Sequence, residues 1–112
     1  MYDIPRSDWA SALKGFTMRN AGRRTELEED GPEVGAQHEE SGWPLRGVAF
    51  DPRDNRIEIM VGDMASTERR LTRSIEAPSS LDLLKTPDGR DAVLRIRHGV
   101  GEQTLLRLIR AD

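Results

Sequence analysis

The sequence predicts an α+β fold: an N-terminal helix packed on a curved antiparallel sheet, or a small open barrel, of about seven short strands. Three observations predict it. An apolar stripe at helical spacing occurs near the N-terminus, where Trp9, Leu13 and Phe16 recur at i, i+4 and i+7. From residue 23 to 109 the apolar residues mostly alternate with polar ones, the two-residue period of a half-buried strand. The connections between those runs are of hairpin length and hold no second helix for a crossover, which argues against a parallel sheet. At 112 residues the chain reads as a single domain, 1–112, large enough for a hydrophobic core without metal or disulfide staples.

Each element has a local cause. Pro5 followed by Arg6-Ser7-Asp8 starts a helix, with an acid in the first turn facing the positive end of the dipole. Asn20-Ala21-Gly22 stops it, Gly22 supplying the left-handed conformation, so the helix is placed at 6–19. Arg23 to Glu29 alternates, with Thr25 and Leu27 on one side and Arg24, Glu26 and Glu28 on the other. Gly31-Pro32 ends that strand. Residues 33–43 are polar and acidic and read either as a weak edge strand around 36–40 or as an exposed loop. Leu45–Phe50 and Arg56–Val61 flank the turn-rich Asp51-Pro52-Arg53-Asp54-Asn55 as a central hairpin. Residues 63–70 read as a loop or one helical turn. Leu71–Ile75 is a further strand closed by Ala77-Pro78, and Leu81–Lys85 and Ala92–Arg97 surround the Pro87-Asp88-Gly89 turn. Gln103–Ile109 ends the fold.

Composition excludes several chemistries. With no cysteine, thiolate nucleophiles, disulfides and thiolate metal sites are ruled out, and a reducing cytoplasm is the expected compartment. The N-terminus has no secretory pattern, and no run approaches the length of a membrane span, so no membrane is expected. The net charge of −3 argues against a nucleic-acid binder that relies on phosphate neutralisation. The charge is uneven: residues 1–63 carry 8 basic and 13 acidic side chains, residues 64–112 carry 9 and 7. Weak nucleic-acid association through the C-terminal half therefore stands third among the function classes.

The stretch RIRHGVGEQTLLRLIR, residues 95–110, carries the sharpest structural expectation. A three-residue loop Gly99-Val100-Gly101 with His98 opposite Glu102 puts Ala92, Leu94 and Ile96 on one face with Thr104, Leu106 and Leu108. A loop one residue longer or shorter would mix that core face with arginine. On the reverse face fall Arg95, Arg97, Gln103 and Arg107, interrupted by Val93, Leu105 and Ile109. The plainer reading is a wet outer face on which arginine stems cover aliphatic neighbours. The functional reading is a contact surface for a protein partner or a second copy, formed by Arg95, Arg97, Leu105, Arg107 and Ile109, with aliphatic centres and arginine rims.

Catalytic motifs are sparse. His38-Glu39-Glu40 offers ligand residue types without the i, i+4 histidine spacing of a zinc helix, so no metal site is expected. His98 beside Glu102 forms a charge-assisted pair at a hairpin tip, with neither nucleophile nor pocket. No nucleophile elbow, P-loop or dinucleotide fingerprint occurs, and no cofactor is implied. Trp43, next to Pro44, either covers one open end of the sheet or anchors recognition, and with His38 and the 63–70 loop it marks the alternative: a ligand pocket or small enzyme site.

In order and spacing, Ile4-Pro5 with Trp9, Gly35-Ala36-Gln37, Pro44-Leu45-x-Gly47, Ile59-x-Val61-Gly62, Leu71-Thr72-x-x-Ile75-x-x-Pro78 and Thr104-Leu105-Leu106-Arg107 resemble a family of short bacterial proteins classed as a domain of unknown function. The resemblance runs over nearly the whole chain. It implies a bacterial, cytosolic, free-standing domain and no known activity or cofactor. The resemblance also implies histidines flanking the Leu-Thr pair, where this chain has Arg70 and Arg73, which can neither ligate a metal as imidazole does nor act as a base near neutral pH. The function expected is a non-enzymatic protein-interaction or self-associating module, the self-associating form being a homodimer in which this face meets its own copy.

Overall fold

A computed structural model describes residues 2–32, 35–63 and 70–109, with 35–41 described by their backbone alone. The chain runs β1 (Tyr2–Asp3), a 3-10 turn (Arg6–Asp8), α1 (Trp9–Asn20), β2 (Arg24–Gly31), β3 (Gly35–Asp51), β4 (Arg56–Gly62), β5 (Arg70–Glu76), β6 (Ser80–Lys85), β7 (Asp91–His98) and β8 (Glu102–Leu108). The strands lie in the order β1-β6-β7-β8-β2-β3-β4-β5, and every pairing is antiparallel. The sheet does not close. This is the predicted α+β architecture, one helix on a curved antiparallel sheet.

Two differences from the sequence reading have physical causes. The additional strand, β1, is only two residues long and carries no periodicity to read. The segment expected as weak edge or loop and the strand after it are one long β3, whose first half pairs with β2 and second half with β4. Bulges hide and bend it. Gly42, with φ 83°, stands unpaired between Ser41 and Trp43, and Arg46 stands unpaired between Leu45 and Gly47. Each extra residue inverts the alternation and turns the strand, so no single period-2 pattern spans it. The expected 63–70 connector lies mostly outside the described residues, which omit 64–69.

The 3-10 turn, not the α-helix expected from residue 6, begins after Pro5 (φ −58°, ψ 142°); α1 follows from Trp9 and ends before Gly22 (φ 87°). Its predicted stripe, Trp9, Leu13 and Phe16, is buried. Trp9 Nε1 donates to the Ile4 carbonyl at 2.8 Å, and its ring meets Phe50 edge-on at 5.1 Å between centroids. The Arg6 guanidinium lies 4.7 Å from the centre of the Trp9 ring and also donates to the Asn55 side chain. Thr17 bonds the backbone of Val48 on β3, and Arg19 and Asn20 bond Asp91 at the start of β7. In this way α1 covers the core along β3 and as far as β7.

Across the larger part of the sheet runs a row of four leucines: Leu83 on β6 opposes Leu94, which opposes Leu106, which opposes Leu27. All four are buried. At about 1.5–3 kcal/mol for each fully buried aliphatic side chain, this row fixes the register, because a one-residue slip would expose it and turn arginines inward. The final ribbon closes as predicted, with Ile96 opposite Thr104 and His98 opposite Glu102. Gly99 (φ 56°) and Gly101 (φ 74°) hold the loop in the left-handed region.

Candidate functional site

The outward face of β6, β7, β8 and β2 carries every residue of the expected contact surface. Its charges are tied across the strands. Arg95 donates to the buried carboxylate of Asp82 through Nε at 3.0 Å and Nη2 at 2.9 Å. Arg107 Nη2 reaches Glu28 Oε2 at 3.3 Å, and Gln103 Nε2 donates to Asp30 Oδ2 at 3.1 Å. The neighbouring pairs set these contacts, since Arg95 lies opposite Asp82 and Gln103 opposite Asp30. Leu105 and Ile109 are half-buried, and Val93 is buried although it points outward, the covering expected where arginine stems lie over aliphatic neighbours. Arg97 is exposed, and its guanidinium has no partner among the described residues.

The inward face ends in a polar network at the tips of the β2–β3 and β7–β8 hairpins. Thr104, fully buried, donates its hydroxyl to Glu29 Oε1 at 2.8 Å and lies 3.0 Å from His98 Nε2. The same Glu29 oxygen receives Arg73 Nη2 from β5 at 2.8 Å, so the contact joins the two halves of the bent sheet across the interior. On its other side, His98 Nδ1 lies 3.9 Å from Glu102 Oε2. The residue types suggest a hydrolytic triad, but the order is wrong. A triad needs the hydroxyl to donate to histidine and the carboxylate to orient the far ring nitrogen. Here the carboxylate holds the hydroxyl itself, and that hydroxyl is shut away from solvent. As arranged, the network ties the end of the sheet together. A cleft of about 260 Å³ beside it is lined by Ser79, Arg97, His98 and Glu102, among others.

Of the alternative pocket, Trp43 is half-buried and packs against the hydrophobic core. Its backbone carbonyl accepts from the Thr25 hydroxyl at 2.8 Å. The His38 side chain lies outside the described residues. Among the described residues no three His, Asp or Glu side chains gather to hold a metal ion, and no helix is long and apolar enough to cross a membrane.

Sequence reasoning missed the buried Asp91. Its carboxylate receives Arg19 Nε at 2.8 Å and Asn20 Nδ2 at 2.7 Å, and Arg23 donates to its backbone carbonyl at 3.1 Å. Burial pushes this carboxyl up, but the Arg19 and Asn20 hydrogen bonds, with the charges of Arg19 and Lys85, outweigh it and hold the group below the usual carboxylate value. The one available signal was position: Asp91 begins a strand just after a turn, where it meets the C-terminal end of the helix.

Fold and site together define an α+β protein whose described residues form one α-helix on an open, bent antiparallel sheet. The chain belongs to the family of unknown function DUF5335, whose model matches residues 1–111. No curated protein matches the chain, and no solved structure does.

Proposed function

We propose that the domain is a non-enzymatic binding module that meets a protein partner or a second copy of itself through the outer face of β7 and β8. The observation that carries this reading is the state of the arginines. Arg95 and Arg107 are already held by Asp82 and Glu28, so part of the side-chain ordering that association demands is met before any partner arrives. Between and beside them lie Val93, Leu105 and Ile109, with Arg97, which has no partner among the described residues, at the end. Aliphatic centre and arginine rim are the composition of an interface. The absence of cysteine supports a cytoplasmic setting.

Sedimentation velocity and light scattering on the wild type and on Leu105→Asp test the reading. The expected result is a dimer, or a co-purifying partner, that the substitution abolishes while the fold survives. A strict monomer whose captured proteins are indifferent to Leu105→Asp overturns it.

A further inference from the structure

Between α1 and the bulged half of β3 lies a second cleft, remote in sequence from the last ribbon. It is open to solvent, offers about 320 Å³ and is lined by Lys14, Met18, Arg46, Ala49, Phe50 and Met60, among others. That volume sits at the small end of the roughly 300–1,000 Å³ range of small-molecule pockets. No carboxylate lines it, although acids outnumber bases in the chain by 20 to 17.

Arg19, Arg56, Arg73, Arg95 and Arg107 have carboxylate partners, whereas other arginines, Arg6, Arg24 and Arg97 among them, have none among the described residues. Neither Lys14 nor Arg46 has one among the described residues. Arg46 Nη1 is buried with no hydrogen-bond acceptor among the described residues, a condition it shares with three other side-chain atoms, but Arg46 is the one arginine of these that also lacks a carboxylate partner among the described residues. The backbone explains how the side chain comes to be there. Arg46 is the extra residue of a bulge, with Leu45 opposite Val61 and Gly47 opposite Met60, and bulges re-aim single side chains beside functional sites.

We propose that this cleft binds a small organic carboxylate with an apolar body. The planar guanidinium of Arg46 matches a carboxylate head, with Lys14 at the exposed rim as a second positive charge. Phe50, Met60 and Met18 form the wall for the body, methionine being the residue that best adapts to an irregular apolar shape. Met18 is 75% exposed, so it is free to close over a ligand. The site does not depend on the outer-face reading.

Titration with octanoate, octanol and acetate, followed by calorimetry and by methyl NMR of the methionines, tests the proposal. Octanoate is expected to bind saturably at one site and shift the Met18 and Met60 methyls, with octanol and acetate at least about tenfold weaker, since neither supplies both head and body. Arg46→Met and Lys14→Gln should each weaken octanoate by at least about fivefold. Lys14 is exposed on the helix, so its variant keeps the test informative if Arg46→Met fails to fold. No saturable octanoate binding, binding equal to that of octanol, binding unchanged in Lys14→Gln, or shifts confined to other methyls overturns the proposal.

Discussion

Thr17 on α1 and Val48 on β3 exchange two hydrogen bonds: the Thr17 hydroxyl donates to the Val48 carbonyl at 3.0 Å and accepts from the Val48 amide at 2.9 Å. Val48 is paired on its other side, by side-chain register, with Ile59 of β4. A single helical hydroxyl thus does the work of a strand along the edge that β2 has left. Gly47 allows the approach, since a Cβ there would come within 3.2 Å of Thr17 Cγ2.

Thr17→Val should therefore destabilise the fold by about 1–3 kcal/mol, because both backbone groups of Val48 lose their partner at a partly buried edge. Thr17→Ser keeps the hydroxyl and should cost less than half as much. Urea denaturation of the two variants checks this, and amide exchange at Val48 should accelerate only in the valine variant. Equal losses would mean that packing, not hydrogen bonding, holds the helix to β3.

Asp91 sets an acid limb of stability. Its carboxyl titrates lower in the folded chain than in the unfolded one. The stability it contributes is therefore complete above the unfolded value, about 3.9, and is lost as the pH falls from there through the folded value. Asp91→Asn should lower stability near neutral pH by about 1–3 kcal/mol, through the lost charge on Arg19 and the disturbed Asn20 bond. It should also flatten the decline between roughly pH 5 and 2. Thermal melts of both proteins across that range measure it; parallel curves would show that other acids dominate the acid limb.

The parts of the fold that were readable in the sequence are those with one uninterrupted period. The Trp9, Leu13, Phe16 stripe and the alternation around Leu94 and Leu106 gave the helix and the last ribbon, because each side chain's burial follows from its neighbour's. The second half of β3, Leu45–Phe50, was readable as the hairpin partner of β4, but its first half and its continuity were not, since Gly42 and Arg46 each invert the alternation. The five residues expected on the outer face share that face, but their ties to Asp82 and Glu28 depend on which strands are neighbours, which local pattern does not encode. The Glu29–Arg73 contact is further from reach still. It crosses the interior between β2 and β5, which are not paired in the sheet at all.

The Thr104 network predicts a histidine tautomer. Because the Thr104 hydroxyl gives its proton to Glu29, its oxygen is left to accept from His98, which requires the proton on Nε2. Nitrogen NMR of the ring near neutral pH should show Nε2 protonated, and Thr104→Val should remove that preference while costing about 1–3 kcal/mol for the lost bond to the Glu29 carboxylate, which keeps Arg73, and for the His98 Nε2 hydrogen left without its acceptor. A ring protonated on Nδ1 alone in the wild type would reverse the direction of the chain.

Arg95 and Asp82 allow the structural and binding roles of the outer face to be separated. The Asp82 side chain is 8% exposed and that of Arg95 23%. Arg95→Met leaves a buried carboxylate without its cation and should cost about 2–4 kcal/mol, somewhat below the loss for a wholly buried pair because Arg95 keeps some solvent. Arg95→Met combined with Asp82→Leu removes both charges and should recover most of that loss, since an apolar pair of similar volume replaces a desolvated ion pair at little net cost. The coupling follows from urea denaturation of the two single variants and the double; losses that simply add would show that the two side chains do not act as a pair. The double variant is also the cleaner probe of association. Stable but monomeric, it would assign Arg95 to the contact itself; stable and still associated, it would leave Arg97, Leu105, Arg107 and Ile109 to carry the interface.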